Sequence, residues 1–254
     1  MGFMRPITGT GLTVSALGLG TVKFGRNEGV KYPAAFAIPD DAAVATLLGQ
    51  AAELGINLID SAPAYGNSEE RLGRLLPNRH DWVIATKVGE EFSNGVSTFD
   101  FSAAHTRASI ERSLERLRTD YLDIALIHSD GNDMDILRHT DCVESLQACQ
   151  REGLVRAIGM SSKTLEGGIL AASLLDIVMI TWNTEQRDTA VLDYAREHGK
   201  GVLVKKGLLS GHAGSVADSL RLVLSTVGVS AMIVGTINPA HLAENVRLAR
   251  TLTG

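Results

Sequence analysis

The most constraining feature of this sequence is a regular alternation of short apolar runs with amphipathic segments. Apolar or β-branched runs recur along the chain as SALGLGT, INLID, WVIATKV, YLDIALIH, LVRAIGMS, DIVMITWN, GVLVKK and SAMIVGT. Between them, apolar residues follow helical spacing, as in Val44, Leu47, Leu48, Ala51 and Leu54. Apolar strands that alternate with helices predict a parallel sheet covered on both faces. Eight such units in 254 residues favour a closed (β/α)8 TIM barrel of the α/β class over an open sheet.

The segments outside these eight units are short. The stretch RPITGTGLTVS near the start reads as a β-hairpin with turn residues Gly9 and Gly11, and we expect it to plug the barrel floor. No Pro/Ser-rich linker or low-complexity segment interrupts the alternation, so residues 1–254 are expected to form one barrel domain. The loop after the seventh strand is expected to be short, and no long C-terminal loop is expected after the last helix.

Composition narrows the classes of partner. A net charge of −5 argues against nucleic acid and anionic membrane as main partners. No run of 18 apolar residues occurs, and the start MGFMRPITGT has no apolar signal region, so we expect a cytoplasmic protein. Cys142 and Cys149 lie seven residues apart in a predicted helix, a rise of roughly 10 Å that is too long for a disulfide. We predict no metal site, and the oligomeric state stays open.

Polar side chains stand at the carboxyl ends of three successive predicted strands. Asp60 ends strand two, Lys87 ends strand three and His128 ends strand four, while Tyr65 follows Asp60 in a turn. Each has an ordinary structural explanation: a cap, a packed ring, a rim charge or a satisfied core histidine. A barrel, however, directs consecutive strand ends to one mouth, where the active sites of such folds lie. We therefore predict that these four residues form one site.

The four side chains also suit a single chemistry. A phenol has a pKa of about 10 and is a poor acid at neutral pH. A lysine ammonium beside it favours the phenolate, and an aspartate would hold that ammonium in place. We therefore expect Lys87 to lower the pKa of Tyr65 toward the range of a general acid, and His128 to orient a carbonyl oxygen. A carbonyl polarised in this way and facing no nucleophile needs a hydride donor, which indicates a nicotinamide cofactor.

At this point the chain resembles the aldo-keto reductases. The resemblance rests on GINLIDSAPAYGNSEERLG, VIATKVG, YLDIALIHSD, GLVRAIGMSS and IVGTINPAHLAENV, which occur in the family's order over essentially the whole chain. It implies a (β/α)8 barrel that binds NAD(P)H without a Rossmann glycine loop. It also implies a catalytic tetrad of Asp60, Tyr65, Lys87 and His128, with Tyr65 as the proton donor. The short stretch FDFS, from Phe99 to Ser102, resembles the family's aldose and galactose dehydrogenase branch.

The resemblance also implies contacts with the nicotinamide end of the cofactor. Met179 stands where the family usually has a glutamine, and we interpret it as core packing. The two adjacent lysines of KKGLLSG would lie against the nicotinamide or the pyrophosphate, although a solvated rim is the alternative. The implied contacts at this end are Gly20, Thr21, Asp60, Ser161, Ser162, Lys205, Lys206 and Leu208.

The adenosine end would lie at the segment GTINPAHLAEN, which begins the last helix. The helix N-terminus and Thr236 could bind a phosphate through backbone N–H groups. NADPH is expected as the cofactor. Because the segment has no fixed cation for a 2′-phosphate, NADH is kept as the alternative. The implied contacts at this end are Gly235, Thr236, Asn238, His241, Glu244 and Asn245.

The loop after strand one, VKFGRNEGVKYPAAFAIPDD, is long, and such loops are usually functional or mobile. Phe24 and Tyr32 are candidate walls of the substrate pocket beside Tyr65 and His128, with anchoring of the loop as the alternative. The main hypothesis is reversible hydride transfer between a nicotinamide and an aldehyde, ketone, sugar or alcohol, with this small molecule as the partner. One alternative is a nicotinamide-binding regulatory or redox-sensor protein on the same fold. Another is a Schiff-base lyase that uses Lys87.

Overall fold

A closed parallel β-barrel forms the centre of the computed structural model, which describes residues 2–253. Within that range, eight strands form the barrel in chain order, and the last strand pairs with the first to close it. This architecture confirms the predicted (β/α)8 barrel. Numbered in chain order, the barrel strands are β3 (Leu17–Gly20), β4 (Leu58–Asp60), β5 (Val83–Val88), β8 (Leu122–His128), β9 (Val155–Ser161), β10 (Ile177–Thr181), β11 (Gly201–Lys205) and β12 (Ala231–Val234).

Helices surround the barrel and bury one apolar face each against it. In the second helix, for example, the buried residues Val44, Leu47, Leu48 and Ala51 follow helical spacing, and Asp40 caps the first turn by accepting a hydrogen bond from the Ala43 N–H at 2.8 Å. The helices are α1 (Val22–Gly25), α2 (Asp41–Glu53), α3 (Ser68–Leu75), α4 (Ala103–Leu117), α5 (Asp133–His139), α6 (Cys142–Arg151), α7 (Leu165–Leu174), α8 (Thr189–Glu197), α9 (Val216–Leu224) and α10 (Pro239–Thr253).

The predicted N-terminal hairpin closes the amino-terminal end of the barrel. Its strands, β1 (Met4–Ile7) and β2 (Leu12–Ser15), pair antiparallel. Ile7, Leu12 and Val14 belong to the apolar cluster that fills the barrel interior. A Cβ on Gly201, where β11 begins, would lie 2.3 Å from the Ile7 side chain, so the hairpin packs directly on the strand starts. With the floor sealed, the opposite mouth is left for chemistry.

A second hairpin stands beside that mouth and was not anticipated from the sequence. Its strands, β6 (Glu90–Ser93) and β7 (Val96–Phe99), pair antiparallel between β5 and α4. Both strands are largely half-buried or exposed, so they lack the apolar run by which the barrel strands are recognised. The hairpin begins at Gly89, whose φ of 101° is a backbone conformation that favours glycine.

Two smaller expectations have clear outcomes. Cys142 and Cys149 are buried free thiols on α6, as the helical spacing predicted. Among the described residues, no helix combines the length and the apolar character needed to span a membrane.

Candidate active site

A cavity of about 300 Å³ opens at the carboxyl ends of the barrel strands. All four residues of the predicted tetrad line it, although they come from three strands and a turn. β4 ends at Asp60, β8 ends at His128, and Lys87 lies next to the end of β5. The structure therefore brings together the side chains that the strand-end argument grouped.

Lys87 is the centre of this group. Its side chain is only 2% exposed, and its Nζ donates hydrogen bonds of 2.7 Å to Asp60 Oδ1 and 2.7 Å to the Ser61 carbonyl. The same Nζ lies 4.8 Å from the centroid of the Tyr65 ring. Burial lowers the pKa of Lys87, but the combined effect of Asp60 and Tyr65 raises this pKa by a larger amount. The net pKa of Lys87 therefore lies above its ordinary value. Lys87 is therefore a fixed ammonium held between a carboxylate and a phenol.

The pKa of Tyr65 shifts in the direction opposite to the one predicted. Lys87 lowers this pKa as expected, but burial of the phenol raises it by more, so the net pKa lies above the ordinary value. The expectation of a lowered pKa was wrong because the sequence does not show how strongly packing around the half-buried ring desolvates the phenol. Tyr65 is therefore a protonated phenol at neutral pH, which is the form a proton donor needs.

His128 contacts a carboxylate that the sequence analysis missed. Glu90 Oε2 lies 2.7 Å from His128 Nδ1. An N–H on Nδ1 would not point directly at this oxygen, so the contact is close without being an aligned hydrogen bond. The other carboxylate oxygen accepts a hydrogen bond of 2.6 Å from Ser97 Oγ and lies 3.7 Å from Arg26. Burial raises the pKa of Glu90, but His128, Ser97 and Arg26 outweigh it and hold this pKa at about 2. The sequence feature that could have indicated this carboxylate is the pair of glutamates directly after VIATKVG.

The tetrad's edge of the cavity carries the predicted nicotinamide-side residues of β3. Gly20 and Thr21 line the cavity, and Thr21 Oγ1 donates a hydrogen bond of 3.0 Å to the Asp60 carbonyl. Met179 contributes to the floor and also belongs to the apolar cluster of the barrel interior, so packing accounts for it.

The opposite edge of the cavity is basic. Lys205 Nζ donates hydrogen bonds of 2.8 Å to Ser161 Oγ and 2.5 Å to the Ser162 carbonyl. Burial and the neighbouring Lys206 lower the pKa of Lys205 to about 7. Ser162 itself is buried and does not line the cavity, whereas Leu208 does. Lys205 is half-buried and hydrogen-bonded within the chain, whereas Lys206 is exposed, so the solvated rim remains an interpretation for Lys206.

A third lysine, Lys163, also lines the cavity and was not predicted. No carboxylate oxygen within residues 2–253 lies within 4.0 Å of the amine of Lys163, Lys205 or Lys206. The one acid lining the cavity, Asp60, already pairs with Lys87. Lys163 and Lys206 are exposed and Lys205 is half-buried, so this edge of the cavity carries amines without an acidic partner among the described residues.

The predicted adenosine contacts lie next to the cavity rather than in it. Gly235 lines the cavity, but Thr236, Asn238, His241, Glu244 and Asn245 follow it along the start of α10 and do not. Asn238 Oδ1 accepts hydrogen bonds from the N–H groups of Ala240 at 2.9 Å and His241 at 3.3 Å. Those two N–H groups are therefore occupied by the chain itself, and phosphate binding at this helix start stays a prediction.

Two residues of α10 that were expected to contact the adenine, Glu244 and Asn245, are engaged or buried within the chain. Both carboxylate oxygens of Glu244 accept hydrogen bonds of 2.7 Å from Arg247. Asn245 is buried, with 6% exposure. A cation, Arg247, therefore does stand on this helix, two residues beyond the segment GTINPAHLAEN.

The long loop after β3 arches over the mouth. A Cβ on Gly235 would lie 2.8 Å from the Tyr32 hydroxyl, so Tyr32 crosses the cavity toward β12. Lys23 Nζ sits 3.9 Å from the centroid of the Tyr32 ring. At the far side the Lys31 carbonyl lies 3.3 Å from His212 Nε2, in the segment after β11. Tyr32 is therefore a wall of the pocket, as predicted.

Phe24 is not a wall of this pocket. Its side chain is completely buried in the apolar core and does not line the cavity. It lies on α1, a single turn that packs against α3. The alternative interpretation, an anchor for the loop, is the correct one for Phe24.

Three comparisons with known proteins bear on this site. The model of the aldo/keto reductase family matches residues 16–218. L-galactose dehydrogenase of Arabidopsis thaliana is 33% identical over 82% of this chain, which spans 66% of that protein's length, just under two thirds. D-threo-aldose 1-dehydrogenase of a Pseudomonas species is 31% identical over 94% of this chain and 90% of its own.

A solved structure extends the likeness to the fold. A Pseudomonas aeruginosa protein classed among the aldo-keto reductases superposes with a TM-score of 0.91 and 54% identity, covering 98% of this chain and 94% of that one.

Proposed function

Because this chain belongs to the aldo-keto reductase family, we propose that it catalyses reversible hydride transfer between NADP(H) and a small aldehyde, ketone or sugar hydroxyl. Tyr65 would serve as the acid and base of this reaction. The observation that carries the proposal is the buried Lys87, held by Asp60 and placed 4.8 Å from the Tyr65 ring in the cavity. Such a cation beside a half-buried phenol supports proton exchange with an oxygen that gains or loses negative charge.

Each residue of the tetrad has a role in this reaction. In reduction, the protonated Tyr65 phenol donates its proton to the developing alkoxide, and the Lys87 ammonium stabilises the phenolate that remains. Asp60 neutralises Lys87 and keeps its Nζ in place. His128 faces the same cavity and stabilises the carbonyl oxygen from a second side. In oxidation of an alcohol the same proton moves in the opposite direction.

The charges of the cavity suit a dinucleotide. The amines of Lys163, Lys205 and Lys206 have no acidic partner among the described residues, and phosphate groups would supply the missing negative charge. When bound, the nicotinamide supplies or accepts the hydride. Thr21, Ser161 and the lysine edge would hold the cofactor on the side of the cavity opposite Tyr65. NADPH is the proposed cofactor. NADH is the alternative, because no lysine or arginine lies in the first turn of α10 to bind a 2′-phosphate.

The substrate is proposed to be a small carbonyl compound or an aldose. Two relatives are named for the sugars that they oxidise, L-galactose and D-threo-aldoses. Beyond the tetrad, Tyr32 and Lys163 are among the polar side chains that line the cavity. The Schiff-base alternative is disfavoured because the raised pKa of Lys87 keeps its amine protonated, and a protonated amine is not a nucleophile.

Steady-state kinetics of Tyr65→Phe test the proposal. The variant keeps the packed ring and removes the proton donor, so kcat for reduction of an aldehyde panel should fall by about 10²-fold or more. Affinity for NADPH, measured by fluorescence quenching, should change less than about threefold. Tyr194→Phe is the matched control, because Tyr194 lies on α8 away from the cavity and should leave kcat unchanged.

Two results would contradict the proposal. Activity of Tyr65→Phe within a few-fold of the wild type would remove Tyr65 from the proton transfer. NADPH binding without turnover of any aldehyde, ketone or aldose would support the regulatory or sensor alternative instead.

A further inference from the structure

The contact between Glu90 and His128 determines which nitrogen of the His128 ring carries a proton. Glu90 Oε2 and His128 Nδ1 are 2.7 Å apart, and the pair is enclosed, with side-chain exposures of 12% and 18%. Two lone pairs facing each other at this distance repel, so a proton belongs to one of the two atoms, although Oε2 lies off the N–H direction of Nδ1. Because the pKa of Glu90 is held at about 2, the proton belongs to Nδ1 at neutral pH.

The other nitrogen of the ring faces the cavity. His128 Nδ1 is buried 2.7 Å from Glu90 Oε2, Nε2 makes no hydrogen bond with the described residues, and His128 lines the cavity. A neutral imidazole carries one proton, so a ring protonated at Nδ1 presents a lone pair at Nε2. In that state Nε2 accepts a hydrogen bond but cannot donate one to a carbonyl oxygen. Only the imidazolium form donates from both nitrogens.

We propose that Glu90 is a positioning residue that makes His128 a proton-dependent donor: Nε2 stabilises the substrate oxygen only when the ring has taken up a second proton, whose charge Glu90 balances. This inference rests on the proposed reductase function for its kinetic consequence. The state of the His128 ring itself can be measured without any turnover.

Several charged or titratable groups face His128 and share control of its proton. Glu90 comes from the hairpin β6–β7, Lys87 from β5, Lys205 from β11 and Tyr65 from the turn after β4. Burial lowers the pKa of His128, Glu90 opposes this effect, and the two lysines act in the same direction as burial. The second proton is therefore bound below the ordinary histidine pKa of about 6.5. Anionic groups bound against the lysines would raise that value.

The variant Glu90→Gln should reverse the ring's proton arrangement. One carboxylate oxygen of Glu90 accepts from Ser97 and faces Arg26, so the amide oxygen should keep that position. The amide NH2 would then replace Oε2 and donate to Nδ1. A donor facing Nδ1 requires a lone pair there, so the neutral ring would carry its proton on Nε2. Glu91→Gln is the matched control, because Glu91 is the next residue of the same strand and pairs with Arg112 instead.

The first measurement is long-range 1H–15N NMR of the full chain labelled at histidine, with the His128 signal identified by its loss in His128→Asn. At pH 8 the wild type and Glu91→Gln should show a protonated Nδ1 and a bare Nε2, and Glu90→Gln should show the reverse. A wild-type ring protonated at Nε2 at pH 8 would overturn the proposal. If Glu90→Gln does not fold, the wild-type spectrum alone decides.

The second measurement is kcat/KM for aldehyde reduction between pH 5.5 and pH 8. Wild-type activity should rise toward acid pH as the ring becomes a charged donor, whereas the neutral ring of Glu90→Gln donates throughout. The ratio of variant to wild-type kcat/KM should therefore change by about tenfold or more over this range, since losing one oxyanion donor costs about 10²–10³-fold. A ratio constant within twofold would overturn the proposal. Absence of turnover in every variant would instead refute the reductase function, and the NMR result would still decide the ring state.

Discussion

Removal of Lys87 should destabilise the fold more than any single surface charge does. Its Nζ makes two hydrogen bonds of 2.7 Å, and the residues of the ion pair are 2% and 5% exposed for Lys87 and Asp60. Lys87→Met keeps a similar side-chain volume but leaves the Asp60 carboxylate buried without a cation. Breaking a buried pair by removing one partner costs about 3–5 kcal/mol. We therefore expect Lys87→Met to lower the free energy of unfolding by about that amount.

The double variant Lys87→Met/Asp60→Asn separates the ion pair from the rest of the packing. With both charges gone, no buried charge is left unpaired, so the loss should be smaller than the sum of the two single losses by about 1.5 kcal/mol or more. Lys200→Met is the control, because Lys200 Nζ bonds only the Leu175 carbonyl and its loss should cost about 1–2 kcal/mol.

Urea denaturation followed by circular dichroism at pH 7 measures these free energies for the wild type, the single variants Lys87→Met and Asp60→Asn, the double variant and Lys200→Met. Single losses that add within about 0.5 kcal/mol, or a Lys87→Met cost no larger than that of Lys200→Met, would refute the reasoning. Either result would mean that Lys87 and Asp60 do not form a coupled buried pair.

Three further predictions concern the cofactor and the turn that holds Tyr65. The folded-state pKa of Lys205 is lowered to about 7, so the charged form is lost as pH rises through that value, and the Kd for NADPH should increase between pH 6 and pH 8 in the wild type but not in Lys205→Gln. Equilibrium titrations should find NADPH preferred to NADH by less than about 100-fold, and a preference above a thousandfold that Arg247→Gln abolishes would show that this arginine binds the 2′-phosphate. A Cβ on Gly25 would lie 2.2 Å from the Tyr65 carbonyl, so Gly25→Ala should lower both Tm and kcat, whereas Gly49→Ala on α2, with nothing within 4 Å, should stabilise by about 0.5–1 kcal/mol.

The barrel and the grouping of the tetrad were predictable from the sequence, for a physical reason. Strand and helix periodicities are local properties of the chain, and eight repeats of the same alternation leave few ways to bury every apolar face. In a parallel barrel the carboxyl ends of all strands meet at one mouth, so residues such as Asp60 and His128 are brought together by topology alone. No knowledge of side-chain contacts was needed for this step.

Features that depend on burial and on contacts across the chain were decided only by the tertiary structure. The pKa of Tyr65 rises because burial of the phenol at the cavity wall outweighs the Lys87 charge on which the sequence argument rested. Phe24 and Tyr32 come from the same loop and look alike as aromatic candidates, yet one is in the core and the other crosses the cavity. Glu90 meets His128 because a hairpin with no apolar pattern folds beside the mouth. Desolvation and through-space charge pairs arise from three-dimensional packing, and residue spacing along the chain does not encode them.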